Sequence, residues 1–455
     1  MAGLAVLLPA TSADAYCRAD LTQQLDTVTQ QPFLKKARVG ILVETQSGQV
    51  IYSRDADRYF VPASNVKLLT TAAALSSLGP DFTIRTSVYG QPNSGPLHVV
   101  GRGDPTFGND QLNALASQLK SQGVQTVSSL LGNDGYFAGS TVNPNWEWED
   151  VQAGYGAPAN SLILNANELG LTLYPQAVGQ PLRVEWDDPA LQRQWQVENF
   201  SRSVGAGQPE YVDIGRDLSR PVLQVYGQLI SGAAPETASV AVPNPAEYFV
   251  GRFRQILSQQ GISVAQTGLT VAAPNGAELA AVTSPPLAQW MVRTNRNSKN
   301  IYAEAMLKSL GAKDPEDATA AGIDAMETIL QRMGVSPDLY NIVDGSGLSR
   351  HNLATPQAFV DTLQAMDRSP HTATYRNSLA MAGTSGTLRN RLGGIRFRGK
   401  TGAVSHNASL SGYLEPPNYQ PLVLSVMINN LDQPGRVLRQ TIDDLVRKIA
   451  QIRNC

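Results

Sequence analysis

The sequence predicts an α+β protein in which both ends of the chain build one domain around a long insertion. Strands and a helix are predicted near the N-terminus, and helices, a strand pair and a last helix follow residue 296. From about 87 to 290, short strand-like segments alternate with turns. The 39 Gly and 28 Pro among 455 residues favour a loop-rich α+β architecture over a helical bundle. The length allows about three domains.

The first predicted elements are a hairpin and a helix. Residues 38–45 (RVGILVET) and 49–53 (QVIYS) have the composition of strands, and residues 46–48 (QSG) form the turn between them. A helix is predicted from about 65 to 78, because a Gly-Pro pair directly after it is a strong stop signal.

The later elements are predicted in the same way. Residues 302–310 and 318–333 carry apolar side chains at helical spacing, and residues 407–415 and 421–430 are predicted to pair as strands. A last helix is predicted from about 434 to 452. Its apolar residues recur every three or four positions and form one stripe: Leu438, Ile442, Leu445, Ile449 and Ile452.

The composition excludes two classes of partner. Hydrophobic residues make up 42% of the chain, charged residues 16%, and the formal net charge is −2. Such a chain can bury large cores but lacks the basic excess that binds nucleic acids or anionic membrane surfaces. No segment approaches the roughly 18 to 20 apolar residues of a membrane span, so none is expected in the mature chain.

The N-terminus has most features of a secretory signal peptide. Residues 2–9 are apolar, and Ala13-Asp14-Ala15 has the small-residue pattern of a cleavage site before Tyr16. No Lys or Arg precedes the apolar run, although signal peptides usually have one there. A translation start upstream of Met1 would explain this difference. We expect export; an ordinary apolar N-terminal helix is the alternative.

The chain has two cysteines, Cys17 and Cys455. We expect a disulfide between them, because it fits an oxidising compartment and because closing so long a loop strongly constrains the unfolded chain. The bond requires both chain ends to lie in one domain, as the order of elements also predicts. Two unpaired thiols are the alternative.

Three short motifs contain candidate catalytic residues. Ser64 and Lys67 are three positions apart at the start of a predicted helix, so their side chains share one face within hydrogen-bonding reach. Residues 298–300 (SKN) precede a predicted helix, and residues 400–402 (KTG) precede the predicted strand pair. The three motifs in this order are characteristic of penicillin-binding proteins and serine β-lactamases.

Each motif alone is weak. Ser117 and Lys120 repeat the first spacing and are interpreted as ordinary helix surface, and residues 405–407 (SHN) match the second motif by chance. The specificity lies in the order of the three motifs and in their positions relative to the predicted helices and strands.

The chain resembles the D-alanyl-D-alanine carboxypeptidase/endopeptidase family, the class C low-molecular-mass penicillin-binding proteins, from about residue 37 to 430. The long stretch between Lys67 and Ser298 is typical of that family. Three further segments agree with it: residues 101–105 (GRGDP), 344–350 (DGSGLSR) and 385–388 (SGTL). Ser385 stands where the family often has Asp, a departure that we expect to be neutral.

The resemblance implies the penicillin-binding/serine β-lactamase-like transpeptidase fold, an antiparallel sheet with flanking helices, with two nested inserted domains. Residues 18–86 and 281–455 are expected to form the catalytic domain. Residues 87–165 and 240–280 are expected to form an inserted second domain, and residues 166–239 a third domain nested in the second.

The mechanism implied is acyl transfer. Ser64 attacks the carbonyl of a D-Ala-D-Ala bond and forms an acyl-enzyme that water resolves. Lys67 accepts the Ser64 proton, so its pKa must be lowered far from the usual value of about 10.4 by burial and a neighbouring cation. Lys400 is the expected neighbour and also holds the terminal carboxylate of the substrate. Thr401 and Gly402 let a peptide-like substrate lie against the strand edge, where a Cβ would intrude.

Two further residues complete the implied machinery. Ser298 is expected to relay the proton to the leaving amine, and Asn300 to bind the acyl amide and keep Lys67 in place. By resemblance, the main-chain N–H groups of Ser64 and Ala403 form the oxyanion hole.

The insertion contributes a candidate side-chain pocket. Residues 146–150 (WEWED), followed by Tyr155, match a family segment in which Asp150 binds the free amine of a diamino-acid stem residue. Arg350 is similarly expected to meet the carboxylate of that residue. The alternatives are a buried aromatic cluster and a surface turn, since an isolated charge on a loop is usually solvated.

Other enzyme classes fit poorly. No G-x-S-x-G motif occurs, so the nucleophile elbow of conventional serine hydrolases is missing. Thr106 replaces the third glycine of a dinucleotide fingerprint in residues 101–106. We expect neither metal nor cofactor, because none of the four histidines belongs to a metal-binding pair: His98, His351, His371 and His406.

Two alternatives share the implied fold. A β-lactamase uses the same acylation residues but needs a device for fast deacylation, which the sequence does not show. A catalytically silent wall-binding protein has no reason to keep all six motif residues: Ser64, Lys67, Ser298, Asn300, Lys400 and Thr401.

We therefore predict a serine-type D-alanyl-D-alanine carboxypeptidase/endopeptidase that acts on peptidoglycan stem peptides and is inhibited by penicillins. We expect it in the periplasm or cell envelope of a bacterium. The sequence leaves open the balance between the two activities, the third residue of the stem peptide, and whether two copies form a homodimer.

Overall fold

The computed structural model of the protein describes residues 15–93 and 95–455. The apolar run at 2–9 and two residues of the predicted cleavage site, Ala13 and Asp14, lie outside the described residues, so the signal peptide stays a prediction. Among the described residues, no helix combines the length and the apolar character that crossing a membrane requires.

The described chain contains both α-helices and β-strands throughout, with a long run of strands in residues 168–241 and three consecutive helices in residues 287–332. The α-helices are α1 (Leu21–Thr29), α2 (Val66–Leu78), α3 (Asn109–Ser121), α4 (Pro245–Gln259), α5 (Leu287–Arg296), α6 (Asn300–Leu310), α7 (Ala318–Arg332), α8 (Pro356–Arg368), α9 (Thr372–Ser378) and α10 (Gly435–Ala450). The strands are β1 (Tyr16–Cys17), β2 (Arg38–Thr45), β3 (Val50–Arg54), β4 (Arg85–Gly90), β5 (Leu97–Val100), β6 (Thr126–Asn133), β7 (Glu168–Tyr174), β8 (Arg183–Trp186), β9 (Gln196–Asn199), β10 (Arg202–Val204), β11 (Tyr211–Arg216), β12 (Val222–Ile230), β13 (Glu236–Ala241), β14 (Ser263–Thr270), β15 (Ala277–Thr283), β16 (Tyr340–Asn341), β17 (Leu353–Ala354), β18 (Ala380–Met381), β19 (Phe397–Val404), β20 (Asn407–Leu414), β21 (Leu422–Asn429) and β22 (Ile452–Arg453).

The largest sheet has six strands in the order β18-β19-β20-β21-β2-β3. Every neighbouring pair in it is antiparallel. Strands from both ends of the chain therefore build one sheet, as the order of elements predicts.

Helices cover both faces of this sheet. Leu42 of β2 packs in a core with α2, α6 and α8, whereas its neighbours Ile41 and Val43 pack in a second core with α1 and α10. All eight residues of β20 and of β21 are buried, because both of their faces are covered. The burial makes α2 a central helix: ten of its thirteen residues are buried.

A second sheet has five strands in the order β14-β6-β5-β4-β15. β4, β5 and β6 precede the segment from β7 to β13 in the chain, and β14 and β15 follow it. The core of this sheet includes Leu115 of α3 and Phe253 of α4. The intervening segment contains the antiparallel sheet β13-β7-β8 and a second small sheet in which β12 pairs with β9, β10 and β11. These two small sheets share a core of their own, with Leu171 and Val225 fully buried.

The two ends of the chain meet. β1 and β22 pair in parallel, and Cys17 and Cys455 form the predicted disulfide, with their Cα atoms 5.6 Å apart. The expectation that both cysteines lie in one domain agrees with the core that α1 and α10 share.

The predicted elements agree with the structure except in the middle of the chain. The helices predicted near 65–78, 302–310, 318–333 and 434–452 correspond to α2, α6, α7 and α10. The expectation of strand-like segments alone between 87 and 290 was incomplete, because α3 and α4 lie there. The apolar residues of α3 do have helical spacing: Leu112, Leu115, Ala116 and Leu119 are its buried residues.

Candidate active site

Ser64 lies in a single 3-10 turn, Ala63–Asn65, that leads directly into α2. Ala63 has a φ of +48°, a left-handed conformation that side chains other than Gly rarely adopt. Two close approaches hold this turn: a Cβ on Gly347 would collide with the Ala63 carbonyl, and one on Gly402 would lie 2.6 Å from the Pro62 carbonyl oxygen. The turn is therefore fixed by neighbouring segments that lack side chains at these points.

Lys67 lies beside Ser64 and is fully buried. Its Nζ donates to Ser64 Oγ at 2.9 Å, to Asn300 Oδ1 at 2.7 Å and to the Ser346 carbonyl at 2.6 Å. Burial lowers the pKa of Lys67 to about 7, although the carboxylates of Asp344 and Glu304 oppose this shift. An amine in this position can take a proton from Ser64 near neutral pH.

Lys400 on β19 is also fully buried, and its Nζ donates to Ser298 Oγ at 2.8 Å and to the Thr401 carbonyl at 2.7 Å. Burial, and next the charge of Lys67, hold the pKa of Lys400 well below its usual value. A substrate carboxylate near Lys400 would compensate its desolvated charge. Lys67 and Lys400 are thus close enough for their charges to interact, as expected. Burial is nevertheless the largest cause of the lowered pKa of each lysine.

Asn300 begins α6 and bridges two parts of the site. Its Oδ1 accepts from Lys67, and its Nδ2 donates to the Tyr155 carbonyl at 2.8 Å. The first contact fits the predicted positioning of Lys67. The predicted binding of an acyl amide would use the same carboxamide, with Nδ2 donating to the acyl carbonyl. Asn300 Nδ2 would then have to serve both the substrate and the Tyr155 carbonyl.

Behind Lys67 lie two buried carboxylates that the motifs do not include. Glu304, one helical turn after Asn300, accepts from the main-chain N–H groups of Gly345 at 3.3 Å and Ser346 at 2.8 Å. Burial, and next the charge of Asp344, raise the pKa of Glu304 to about 7. Sequence reasoning missed Glu304, although its i+4 spacing from Asn300 places both on one helix face and was a usable signal.

Asp344 organises the segment DGSGLSR. Its two carboxylate oxygens accept from the N–H groups of Gly347 and Ser349, from the Asn352 side chain, and from Trp146 Nε1 at 2.9 Å. The aromatic segment at 146–150 is therefore divided: Trp146 is buried on Asp344, whereas Trp148 is exposed.

A cavity of about 350 Å³ lies at Ser64 and contains several of the predicted catalytic and substrate-binding residues. Its lining comprises Ser64, Glu149, Asp150, Tyr155, Ser298, Asn300, Gly347, Leu348, Arg350, Ala403, Val404 and Ser405. The cavity thus brings Ser64, Ser298, Asn300 and Ala403 together with Asp150, Tyr155 and Arg350, whereas Lys67, Lys400, Thr401 and Gly402 are not among its lining residues.

Asp150 and Arg350 contact one another within this cleft. Arg350 Nη1 lies 3.0 Å from Asp150 Oδ2 and 3.7 Å from Glu147, and Nη2 lies 3.7 Å from Glu149. The Tyr155 hydroxyl donates to Asp150 Oδ1 at 3.2 Å. Burial raises the pKa of Asp150, and the Arg350 guanidinium opposes that shift. The alternative of an isolated solvated charge does not apply to Asp150, which is buried and paired.

Thr401 contacts a residue that received no role in the sequence analysis. Its Oγ1 donates to Thr387 Oγ1 at 2.8 Å, which places the SGTL segment beside the KTG motif. Ser385, the departure in that segment, accepts from the Met381 N–H at 3.0 Å and stabilises a local turn.

Of the two look-alike motifs, only the first lies away from the cleft, because Ser405 of the second is one of the residues that line it. Ser117 and Lys120 are exposed on α3, as predicted for an ordinary helix surface, and Ser117 contacts Gln260. Ser405 and His406 form the turn between β19 and β20, and Asn407 is the first residue of β20. Among the described residues, no group of three or more His, Cys, Asp or Glu could hold a metal ion.

Known proteins resemble the chain over nearly its whole length. The family model of D-Ala-D-Ala carboxypeptidase 3 (S13) matches residues 21–451. The chain is 33% identical over 444 residues to the D-alanyl-D-alanine carboxypeptidase of Actinomadura sp. strain R39, covering 91% of this chain and 82% of that protein. It is 26% identical to penicillin-sensitive carboxypeptidase A of Dictyostelium discoideum, covering 87% of this chain and 83% of that protein.

A solved structure extends the comparison to the fold. The crystal structure of penicillin binding protein 4 from Haemophilus influenzae has a TM-score of 0.78 at 23% identity, covering 95% of this chain and 99% of that chain. The same protein complexed with a novel β-lactam gives a TM-score of 0.74. The predicted fold class, an antiparallel sheet with flanking helices and large insertions, is confirmed.

Proposed function

The chain belongs to the D-Ala-D-Ala carboxypeptidase 3 (S13) family and is a hydrolase of that class; we propose that it cleaves the stem peptides of peptidoglycan with Ser64 as nucleophile. The observation that carries this proposal is the contact of 2.9 Å between Ser64 Oγ and Lys67 Nζ, an amine whose pKa is about 7. A half-buried serine hydroxyl beside a fully buried amine supplies an activated nucleophile without a metal or cofactor.

In the acylation step, Ser64 Oγ attacks the carbonyl carbon of the penultimate D-Ala while its proton moves to Lys67 Nζ. The N–H groups of Ser64 and Ala403 stabilise the oxyanion of the tetrahedral intermediate. The C–N bond then breaks, and the leaving amine takes a proton through Ser298 Oγ, which Lys400 holds at 2.8 Å. Water hydrolyses the resulting ester and returns a proton to the Ser64 oxygen.

The terminal carboxylate of the substrate is proposed to bind at Lys400 and Thr401. Lys400 is a buried ammonium whose contacts are a hydroxyl and a carbonyl, so a carboxylate is the partner that best compensates its charge. Gly402 lets the strand approach the turn that carries Ser64, because a Cβ there would lie 2.6 Å from the Pro62 carbonyl oxygen and closer still to Ser409 Oγ.

The side chain of the stem peptide is proposed to bind at Asp150, Tyr155 and Arg350. Asp150 and Arg350 form a salt bridge of 3.0 Å in the cleft, so a substrate residue with both an amine and a carboxylate could bind each partner with opposite charge. Endopeptidase action on cross-linked peptides is proposed as a second activity of the same residues, since it differs only in the size of the leaving group.

The division into domains is likewise proposed. The six-stranded sheet supports a catalytic domain from 18–86 and 281–455, and the five-stranded sheet supports a second domain from 87–165 and 240–280. The two small sheets with their own core support a third domain over 166–239.

Export to the periplasm or cell envelope is proposed for the same protein. The Cys17–Cys455 disulfide supports an oxidising compartment, and peptidoglycan itself lies outside the cytoplasm. The predicted signal peptide agrees with this location.

The test is intact mass after brief exposure to benzylpenicillin, for wild type, Ser64→Ala and Ser117→Ala. The last variant is a matched control, because Ser117 repeats the spacing to a lysine on an exposed helix face. A gain of one penicillin that persists for minutes in wild type and in Ser117→Ala, and is absent in Ser64→Ala, supports the proposal. Rapid loss of the drug without an adduct would favour a β-lactamase, and folded protein with neither result would favour a silent wall-binding protein.

A further inference from the structure

A second cavity, of about 790 Å³, lies between α4 and the two small sheets. It shares no lining residue with the cleft around Ser64. Its volume falls within the range of ligand sites, roughly 300 to 1,000 Å³. Part of its wall is apolar or aromatic: Leu169, Leu191, Trp195, Val242 and Tyr248.

Arg216 is the cavity residue with the least satisfied charge. It ends β11, is 7% exposed, and pairs with no carboxylate among the described residues. Its Nη1 and Nη2 donate to the carbonyls of Asp217 and Val151, each at 3.3 Å, and its buried Nε has no acceptor in the described chain. A guanidinium has five N–H donors, so most of those on Arg216 lack a protein acceptor.

The remaining charges around the cavity are mostly paired. Arg220 binds Asp217 at 2.7 Å, so the carboxylate nearest to Arg216 in the chain is already engaged. Arg252 binds Asp188 at 3.0 Å. Glu247 adds a carboxylate at the rim, on the first turn of α4.

A buried guanidinium without a carboxylate partner is unfavourable, and burial does lower the pKa of Arg216. A ligand carboxylate would form charge-assisted hydrogen bonds with it. Glu247 forms no salt bridge among the described residues, so its carboxylate suits a ligand that also carries an amine. The apolar wall suits short side chains between these two charges.

We propose that this cavity binds a short peptide with a free terminal carboxylate and a free amine, its carboxylate on Arg216 and its apolar part against Trp195. Such a peptide has the chemistry of a trimmed stem peptide, so the identity of the ligand rests on the proposed function, whereas the carboxylate requirement rests on Arg216 alone. The site is a second peptide-binding site, separate from the residues that perform the reaction.

The probe is the dipeptide L-lysyl-D-alanine, titrated by calorimetry into full-length protein whose Ser64 cleft has been filled with benzylpenicillin. Acylation is checked by mass before titration, so a failure of the proposed function is seen separately; in that event the titration uses Ser64→Ala protein. We expect one binding site and at least a tenfold weaker affinity for L-lysyl-D-alaninamide, which lacks the carboxylate. Equal affinity for the two probes, or no binding of the first, would overturn the proposal.

A pair of variants locates the site. Arg216→Gln is expected to weaken binding of L-lysyl-D-alanine at least tenfold, whereas Arg220→Gln, which removes a cation already paired with Asp217, is expected to change it less than threefold. Equal effects of the two substitutions would refute a specific role of Arg216. If Arg216→Gln fails to fold, the comparison of the two probes on wild-type protein decides the matter. The local signal is a change in tryptophan fluorescence that is lost in Trp195→Phe, because the chain has five tryptophans.

Discussion

Lys67 and Glu304 bind the same residue, Ser346: the lysine Nζ donates to its carbonyl at 2.6 Å, and the Glu304 carboxylate accepts from its N–H at 2.8 Å. Both side chains are buried, and burial shifts the pKa of each to about 7. Glu304 thus acts on Lys67 in two ways, by holding the main chain that Lys67 contacts and by its charge. We regard Glu304 as a positioning residue.

Replacing Glu304 tests the second effect. In Glu304→Gln the carboxylate no longer favours the protonated form of Lys67, so the pH midpoint of acylation should move downward, on the order of one pH unit. The Asp344 carboxylate remains and still favours protonated Lys67, so the shift is partial. Lys308 also interacts with Glu304, but Asp317 and Asp134 continue to oppose its charge in the variant. The rate of acylation by benzylpenicillin, measured from pH 5 to 9, gives the midpoint.

The control for this experiment is Asp443→Asn, which removes another buried carboxylate, one paired with Arg391 on the far side of the sheet. It should lower stability without moving the midpoint. A Glu304→Gln profile that falls in height but keeps the wild-type midpoint would mean that Glu304 is merely structural.

The wild-type enzyme should itself lose activity as the pH falls through about 7. In the proposed mechanism Lys67 accepts the Ser64 proton only when it is neutral, and burial lowers its pKa to about 7. The second-order rate of acylation should therefore rise about tenfold per pH unit below the midpoint and level off above it. A rate that is constant from pH 5 to 7 would exclude Lys67 as the base.

Much of the site could be predicted from the sequence, because the motifs are local. Ser64 and Lys67 are within one helical turn of each other. Ser298 and Asn300 are two positions apart where the chain enters α6, and Ser298 has a left-handed backbone conformation there. Glu304 accepts hydrogen bonds from the main-chain N–H groups of Gly345 and Ser346, which are distant from it in sequence. Nearly every residue has a main-chain N–H, so the sequence does not indicate which ones Glu304 contacts. The salt bridge between Asp150 and Arg350 was missed for a similar reason: each residue was assigned a substrate charge, but their distance depends on how the insertion packs on the catalytic domain.

The pKa shift of Lys67 also predicts an effect on stability. Its pKa is about 7 when folded and about 10.4 when unfolded, so between these values the unfolded chain binds more protons and wild-type stability rises with pH. The Met side chain carries no such dependence. The free energy of unfolding of Lys67→Met minus that of wild type should therefore be larger at pH 6 than at pH 10, by up to about 4 kcal/mol.

Urea unfolding at both pH values measures this difference. Groups that titrate equally in the two proteins cancel in the subtraction. A difference that is the same at pH 6 and pH 10 would mean that Lys67 keeps an ordinary pKa in the folded protein.

Removing the disulfide should destabilise the packing of the two chain ends against the core that α1 and α10 share. Cys17 and Cys455 are separated by 438 positions, and the bond holds β1 on β22 next to the core of α1 and α10. The double variant Cys17→Ser, Cys455→Ser should lose about 3 to 5 kcal/mol of unfolding free energy, because the unfolded chain gains freedom. Chemical denaturation with and without reductant measures the loss; the variant should be insensitive to reductant, and its acylation at low temperature unchanged.

The last prediction separates substrate recognition from chemistry. Asp150 contacts Arg350 and Tyr155 but none of Ser64, Lys67 or Lys400 by hydrogen bond among the described residues. Asp150→Asn should lower kcat/KM about 10- to 100-fold for a stem peptide with a free amine on its third residue, the effect of one charged hydrogen bond, while acylation by benzylpenicillin changes less than twofold. Glu147→Gln, at 3.7 Å from Arg350 and more exposed, is the matched control and should have a smaller effect. An equal loss for a peptide whose amine is acetylated would contradict the role of Asp150, because that substrate offers the carboxylate no cation.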